Sequence, residues 1–255
     1  MPSNIVHVGL QQTIAVQSYC FRGYSNNEEV ATKVKEIGLT ALEPCKVHID
    51  FSNLKAQDTA VTVYQAAGIE LVSCGVNLIS GNNCTIQRPF QFAKKAGFST
   101  ISVDVMPPAS WDTFVEIEKL AEEFEIDVAI HNHGGSHWLG NAQMLREVFQ
   151  KTGPRIGLML DTAWAIDSRE DPVGMVQSFG SRLMGIHLKD FVYSRNREPK
   201  DVIIGTGILD LPALVNSLVE VGFRGVPIIE YEGDVKNPVP ALVKCVQAVE
   251  QVWYG

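Results

Sequence analysis

The sequence predicts an α/β fold, a single (β/α)8 TIM barrel, within its 255 residues. Apolar runs of strand length alternate with longer amphipathic stretches eight times along the chain. A βα unit of such a barrel takes about 30 residues, and eight even units favour a closed barrel. An open doubly wound sheet is the alternative, although no G-x-G-x-x-G fingerprint follows an early strand.

The first half of the chain contains four predicted strand–helix units. Apolar runs of strand length predict each strand, and the amphipathic stretch after it predicts the helix. The four units are strand 14–19 with helix 27–37, strand 41–44 with helix 54–67, strand 71–76 with helix 83–96, and strand 100–105 with helix 111–124.

The second half contains four more units and one longer excursion at 191–209. No Pro/Gly/Ser-rich linker divides the chain, so we predict one domain over residues 1–255. The units are strand 127–131 with helix 141–150, strand 156–161 with helix 172–179, strand 183–188 with helix 211–221, and strand 226–231 with helix 239–253.

A repeated junction supports stacked βα units. Four predicted helices end at a glycine that is followed by an apolar residue. Glycine just past a helix adopts the left-handed conformation without a Cβ penalty, and the next apolar residue can pack back on the helix. These glycines are Gly38, Gly68, Gly97 and Gly222.

Composition excludes several classes of function. The net charge of −8 and the lack of a basic run oppose nucleic-acid binding. No apolar run approaches the about 20 residues that span a bilayer, and we expect no signal peptide. Five scattered cysteines without a CxxC pair fit a reducing compartment. We therefore expect a cytoplasmic protein with no membrane partner.

Each predicted strand ends at a polar residue. Successive strand-end residues lie 26 to 34 positions apart, with 43 positions across the excursion. Because the carboxyl ends of barrel strands share one rim, where active sites of this fold lie, we expect these side chains to gather there. They are Gln17, Glu43, Asn77, Asp104, His131, Asp161, His187 and Glu230.

The last four of these residues form a candidate metal site on consecutive strands. Two imidazoles and two carboxylates suit Mn²⁺, Zn²⁺, Co²⁺ or Fe²⁺ better than Ca²⁺. Taken singly, each has another interpretation: a hydrogen-bonded histidine, a helix cap at Asp161, or a solvated Glu230. His133, two residues past His131 and on the same side of the strand, could replace it as ligand or contact substrate.

Six short motifs carry a resemblance to a known family: ALEP around Glu43, HNH at 131–133, LDT at 160–162, IHLKD at 186–190, GTGILD at 205–210 and IEYE at 229–232. Together they resemble the sugar phosphate isomerase/epimerase family of xylose isomerase-like TIM barrels. That group also contains ketose 3-epimerases, inosose dehydratase and 3-dehydroshikimate dehydratase.

The resemblance implies a divalent metal at the ends of strands five to eight. Its ligands would be His131, Asp161, His187 and Glu230. We expect Mn²⁺ first, with Mg²⁺, Co²⁺ or Zn²⁺ as alternatives. The best-studied epimerases of the family have a catalytic glutamate at the fifth strand, and His131 departs from that two-glutamate pattern.

The expected chemistry is proton removal beside a carbonyl. A metal polarises the carbonyl and its neighbouring hydroxyl, and a general base takes the proton to give an enediolate. Glu230 is the first candidate base, and His133 or Glu43 the second proton carrier. Candidate substrate contacts are Lys189, Trp138 and Arg22, with a surface salt bridge for Lys189 and loop packing for Trp138 as alternatives.

The leading hypothesis is therefore a metal-dependent isomerase or epimerase of a ketose, keto-sugar or related polyol derivative. A lyase that expels a β-hydroxyl from the same enediolate is the runner-up. AP endonuclease activity is disfavoured by only six histidines and by the acidic charge. A non-catalytic sugar-binding barrel is the fourth hypothesis. A homo-oligomer is compatible with the resemblance.

Overall fold

Nine parallel strands form the main sheet of the structure, a computed structural model that describes residues 10, 12–80, 86–107 and 110–255. These strands are β1 (Ala15–Gln17), β2 (Ala41–Glu43), β3 (Glu70–Leu71), β4 (Asn77–Ser80), β5 (Thr100–Met106), β6 (Asp127–His131), β7 (Ile156–Asp161), β8 (Leu183–Leu188) and β11 (Val226–Ile229). Their order is β3-β2-β1-β11-β8-β7-β6-β5-β4. An antiparallel hairpin, β9 (Phe191–Tyr193) and β10 (Pro199–Asp201), occupies the predicted excursion.

The sheet closes through residues 70–80, which supply both of its end strands. Between β3 and β4, the Gly75 N–H donates to the Pro44 carbonyl on the β2 side, at 3.0 Å. On the β5 side, the Cys74 carbonyl accepts from the Ser102 N–H, also at 3.0 Å. The predicted strand 71–76 is thus divided, because this segment changes partner from β2 to β5. A Cβ at Gly75 would lie 1.7 Å from Ser102 Oγ, so only glycine permits this approach.

Helices follow the strands as predicted and complete the (β/α)8 fold. Predicted helix 83–96 is observed from residue 87, and residues 83–85 lie outside the described ranges. One unpredicted helix, α6, begins where Asp161 Oδ1 accepts from the Trp164 N–H at 2.8 Å. The helices are α1 (Asn27–Glu36), α2 (Leu54–Ala66), α3 (Gln87–Ala96), α4 (Trp111–Phe124), α5 (Ala142–Lys151), α6 (Thr162–Asp167), α7 (Pro172–Phe179), α8 (Leu211–Glu220) and α9 (Val239–Trp253).

The predicted glycine junctions are confirmed. Gly38, Gly68, Gly97 and Gly222 all have φ between +66° and +88°. After the first of them, the Leu39 N–H donates back to the Val34 carbonyl at 3.1 Å. This bond closes the last turn of α1 and directs the chain into the barrel wall.

The barrel interior contains a small apolar layer directly beneath the strand-end polar residues. Its five buried residues are Ala15, Ala41, Ala129, Met159 and Ile228. Residues two apart on a strand share a side, so the residue two positions later on each strand also points into the barrel. Those five residues, one layer higher, are Gln17, Glu43, His131, Asp161 and Glu230.

The structure describes four of the five cysteines and the helices that were checked for membrane-spanning length. Among the described residues, Cys20, Cys45, Cys74 and Cys245 are buried and free, and Cys84 lies outside them. Among the helices of the described ranges, none combines the length and apolarity that crossing a bilayer requires.

Candidate metal centre and active site

Four strand-end side chains converge in the polar layer of the barrel. His131 ends β6, Asp161 ends β7, His187 lies on β8, and Glu230 follows β11. All four are buried, and one potential ligand atom from each lies within 4.8 Å of the other three. The structure therefore brings the predicted ligand set together.

His187 occupies the centre of this group. Its Nε2 lies 2.7 Å from Glu43 Oε2, and its Nδ1 lies 3.0 Å from Glu230 Oε2 and 3.2 Å from His131 Nε2. Burial alone would lower the pKa of His187, but the two carboxylates outweigh it and raise the pKa. Because Glu43 occupies Nε2, the Nδ1 atom is the nitrogen available to a cation.

Asp161 has a buried oxygen without a partner. Its Oδ1 caps helix α6, whereas Oδ2 accepts no hydrogen bond from the described residues and lies 3.6 Å from His131 Nε2. Burial raises the pKa of Asp161 to about 7; Lys189 opposes the rise and Glu230 adds to it. An unpaired buried carboxylate oxygen is costly unless a cation or a proton neutralises it.

His131 supplies a neutral imidazole beside that oxygen. Burial, followed by the nearby His133 and His187, holds the pKa of His131 well below its ordinary value. Neutral imidazole is the form that ligates metals. A neutral imidazole, a second imidazole with Nδ1 facing inward and two carboxylates match the N/O donor set of a divalent transition-metal ion. These four residues therefore fit the ion that the family implies.

Glu43 lies behind this group, away from open space. It is fully buried on β2, and its Oε1 accepts from Ser102 Oγ at 2.5 Å and from Ser73 Oγ at 3.2 Å. Its other oxygen faces His187. A carboxylate that holds the second nitrogen of a ligating histidine fixes its tautomer and ring orientation. Glu43, predicted as a candidate proton carrier, has contacts that suit this supporting role instead.

Lys189 is buried beside Glu230. Because Lys189 comes two residues after His187, it emerges on the same side of the chain, and its Nζ forms an ion pair with Glu232 and lies 4.0 Å from Glu230 Oε2. Burial opposes its charge, but Glu230 and the other carboxylates outweigh burial and raise the pKa of Lys189. Lys189 in turn holds the pKa of Glu230 well below its ordinary value, against the effect of burial. The alternative of a surface salt bridge is wrong, because no part of Lys189 is exposed.

A second polar group lies beside the first, on β5 and the loop after β6. His133 Nδ1 is 3.5 Å from Asp104 Oδ2, and His137 Nε2 is 3.0 Å from Asp104 Oδ1. Burial would raise the pKa of Asp104, but the two histidines outweigh it and lower the pKa. Burial likewise opposes the charge of His133, and Asp104 outweighs it and raises the pKa of His133. The sequence pattern predicts Asp104 and His133 at this rim, whereas His137 belongs to none of the predicted strand ends.

A cavity of about 280 Å³ opens above the metal-ligand group. Glu230, His131 and His133 reach it directly, so a bound molecule would touch both polar groups. Two aromatic side chains, Tyr19 and Trp164, also line it, and neither was predicted. The lining residues are Gln17, Tyr19, Cys45, Lys46, Val47, Gly75, Val76, His131, His133, Trp164, Glu230 and Glu232.

All three predicted substrate contacts, Lys189, Trp138 and Arg22, lie outside this lining. Trp138 donates its indole N–H to the Val105 carbonyl at 2.6 Å and packs against Phe114. The Arg22 guanidinium stacks on Tyr19 at 4.6 Å and donates to the Glu232 carbonyl. Trp138 therefore anchors its loop, and Arg22 joins the loops after β1 and β11. Trp164, which lines the cavity with Tyr19, has a sequence signal in its position three residues after Asp161, the N-cap of α6.

Curated relatives match part of the chain. The rhizopine catabolism protein MocC of Rhizobium meliloti is 28% identical over 137 residues, which cover 48% of this chain and 42% of MocC. The inosose dehydratase of Clostridium tetani is 24% identical over 153 residues, or 53% of this chain and 51% of that enzyme. The chain thus spans about half the length of the curated relatives it matches.

Solved structures match nearly the whole chain. The IOLI protein with a bound zinc atom has a TM-score of 0.77 at 15% identity, covering 95% of this chain and all of that one (100%). The 3-keto-D-glucoside 4-epimerase of E. coli has a TM-score of 0.73 at 14% identity, with coverage of 94% and 100%. At these identities the likeness shows the fold.

The family itself is shown by the sequence. The profile described as "Xylose isomerase-like TIM barrel" matches residues 107–249, which include β6, β7, β8 and β11 and all four candidate ligands. The structural neighbours include sugar phosphate isomerases and epimerases. The chain belongs to the xylose isomerase-like TIM barrel family.

Proposed function

We propose that this chain is a divalent-metal-dependent enzyme that removes the proton beside a carbonyl of an uncharged keto-sugar or keto-cyclitol, as an isomerase or epimerase. The observation that carries the proposal is the buried convergence of His131, Asp161, His187 and Glu230 at the floor of a cavity. When bound there, a divalent ion such as Mn²⁺, Co²⁺ or Zn²⁺ polarises the substrate carbonyl and acidifies the adjacent C–H.

Glu230 is proposed as the base that takes this proton. It lines the cavity, and Lys189 and His187 keep it ionised. His133 is proposed as the second proton carrier. It lines the same cavity beyond β6, while Glu230 follows β11, and β8 and β7 lie between them in the barrel wall. The two groups therefore approach a bound molecule from different sides, as proton removal and return require.

Charge around the cavity favours an uncharged substrate. Glu230 and Glu232 line it, and the exposed Lys46 is the one lysine or arginine in the lining. Lys189 is matched by Glu232, and Arg22 is engaged by backbone carbonyls. The stretches outside the described residues contain no lysine or arginine. A phosphate or carboxylate would find little positive charge here beyond the metal ion, whereas a sugar face could stack on Trp164.

Dehydration is the second candidate. Five of the matched curated relatives are inosose dehydratases, and a dehydratase begins with the same proton removal. It differs in the next step, where an acid protonates a leaving β-hydroxyl. His133 could supply that proton as readily as it could return one to carbon.

One incubation separates these candidates. The metal-loaded protein is mixed in D₂O with neutral 3-keto-sugars and inososes, and in parallel with 3-dehydroshikimate and a ketose phosphate, and followed by ¹H NMR. Deuterium at the α-carbon without water loss supports an epimerase, and an unsaturated product supports a dehydratase. No reaction of any neutral substrate contradicts the proposal, as does faster turnover of the anionic ones.

Matched variants connect the reaction to the proposed centre. Asp161→Ala and His187→Ala should lose bound metal and deuterium exchange together. Asp127→Ala is the control, because Asp127 lies at the other end of β6 and pairs with Arg155 at 3.0 Å. Retention of metal in both ligand variants would exclude this centre.

A further inference from the structure

We infer that Asp104 and His137 are positioning residues that hold His133 with its Nδ1–H toward Asp104 and its Nε2 lone pair toward the cavity. The inference rests on the proposed function, which gives His133 contact with substrate. It begins from three side chains on two neighbouring elements: Asp104 on β5, and His133 and His137 after β6.

The tautomer of His137 is fixed by the backbone. Its Nδ1 accepts from the Leu139 N–H at 3.2 Å, where His137 caps the short helix at Trp138–Gly140. A backbone amide can only donate, so Nδ1 carries no proton and the single ring proton lies on Nε2. That Nε2–H contacts Met106 Sδ at 3.1 Å, and the same nitrogen lies 3.0 Å from Asp104 Oδ1.

This tautomer argues against a second metal at the same place. Asp104, His133 and His137 present ligand atoms within 4.8 Å of one another, a spacing that could also hold an ion. A protonated Nε2 has no lone pair to offer, so His137 is not a metal ligand. Two remaining ligands are fewer than the three or four protein ligands of ordinary zinc sites.

The orientation of His133 follows from which part of its ring is covered. Its Nδ1 is buried and makes no hydrogen bond among the described residues, and Asp104 Oδ2 lies 3.5 Å from it, within ion-pair distance. The side chain is nevertheless 31% exposed and lines the cavity. The exposed edge is therefore the one that carries Nε2. In the neutral ring, a proton held on Nδ1 by this carboxylate leaves the Nε2 lone pair directed at the cavity.

The loop after β6 supports the same arrangement. The His133 carbonyl accepts from Ser168 Oγ at 3.3 Å, which fixes the backbone where the loop departs. A Cβ at Gly134 would lie 2.4 Å from the Trp164 ring, and one at Gly140 would lie 2.2 Å from the His133 carbonyl oxygen. The small residues thus let the loop fold back and bring His137 over Asp104.

Histidine tautomers measured by long-range ¹H–¹⁵N NMR test this inference without a substrate. With ¹⁵N-histidine labelling, wild-type His133 is expected to carry its proton on Nδ1, with His133→Gln identifying the resonance. In Asp104→Ala it should shift towards Nε2–H, the form favoured in water, and Asp104→Asn should restore Nδ1–H in part through its carboxamide oxygen. An unchanged tautomer in Asp104→Ala would overturn the inference.

Kinetics and metal content complete the test. With a substrate found as above, Asp104→Ala should lower kcat by roughly 10- to 100-fold, with little change in KM. This is less than the about 10²–10⁴-fold that a positioned acid–base group supplies, because His133 itself is retained. Asp127→Ala should retain kcat. Two bound ions per wild-type chain and one in Asp104→Ala would overturn the inference in favour of a second metal site. If no sugar reacts but the tautomer shifts as expected, the proposed function fails while the positioning of His133 stands.

Discussion

Replacing Glu43 tests whether a residue outside the cavity controls the metal centre. Glu43 Oε2 lies 2.7 Å from His187 Nε2, so it directs Nδ1 towards Glu230 and His131. Removing such a carboxylate typically lowers metal affinity by about 10- to 100-fold, or about 1.4–2.8 kcal/mol. We expect Glu43→Ala to lose metal affinity by the upper value of this range. Glu43→Gln keeps a hydrogen-bond acceptor and should lose affinity by the lower value.

The two variants should also differ in stability. Glu43→Ala leaves the buried His187 Nε2–H without an acceptor, at a cost of about 1–3 kcal/mol in the free energy of unfolding. Dissociation constants for Zn²⁺ and Mn²⁺, measured by competition with a fluorescent chelator, give the loss of metal affinity. Urea unfolding of the metal-free protein gives the change in the free energy of unfolding.

Ser73→Ala is the matched control for Glu43. Ser73 donates to the other carboxylate oxygen, Oε1, which Ser102 also contacts, so its loss should change the metal dissociation constant by no more than about twofold. If both Glu43 variants bound metal as tightly as wild type while unfolding more easily, Glu43 would have a packing role alone. The assignment of His187 Nδ1 as the ligand atom would then be refuted.

Three further predictions address the remaining parts of the site. Metal at 100 times its dissociation constant should add about 2.7 kcal/mol and raise Tm by roughly 5–10 °C in calorimetry, and an equal Tm with and without metal would contradict a native-state site. Lys189→Met should lower the free energy of unfolding by roughly 3–5 kcal/mol in urea, because Glu230 and Glu232 lose a buried cation. A loss below about 1 kcal/mol would mean that water already screens these carboxylates. Trp164→Ala should raise KM by up to about tenfold with the fold intact, whereas Trp138→Ala should cost up to about 3 kcal/mol of stability with KM unchanged. The reverse pattern would restore Trp138 as the substrate contact.

Regular spacing explains why the sequence located the four-residue group. Each βα unit brings the chain back to the same rim, so polar residues about 30 positions apart meet in space. The interior layer shows the local reason, since Ala129 lies two residues before His131, and Met159 two before Asp161. Side-chain alternation along a strand is a property of the backbone, and the sequence therefore predicts it well.

Contacts between residues that lie far apart in the sequence could not be predicted in the same way. Glu43 and His187 are 144 positions apart, and no local pattern indicates that one covers the second nitrogen of the other. Lys189 was predicted as a substrate contact, but no local pattern indicates that Glu232, 43 positions later, pairs with its Nζ beside Glu230. Trp138 lies outside the cavity lining, because the Val105 carbonyl accepts from its indole N–H.

Charge balance in the polar layer identifies the residue whose charge most requires a cation. Glu43 faces His187 and two serines, and Glu230 faces His187 and Lys189, whereas Asp161 Oδ2 has no hydrogen-bond partner among the described residues. Burial raises the pKa of Asp161 to about 7 from an ordinary 3.8. A carboxyl whose pKa is raised by folding destabilises the metal-free protein as pH rises from the unfolded value towards the folded one.

Asp161→Asn removes this charge and keeps the shape and the cap on the Trp164 N–H. We expect the metal-free variant to be at least as stable as wild type at pH 7 and to lack the loss of stability between about pH 4 and 7 that wild type shows. The same variant should lose the stabilisation by added metal, because an amide is a poor substitute for a ligating carboxylate. Urea unfolding across this pH range, with and without Zn²⁺, measures both effects. A metal-free Asp161→Asn protein clearly less stable than wild type at pH 7 would mean that Asp161 stabilises the fold by itself and that its buried charge requires no ion.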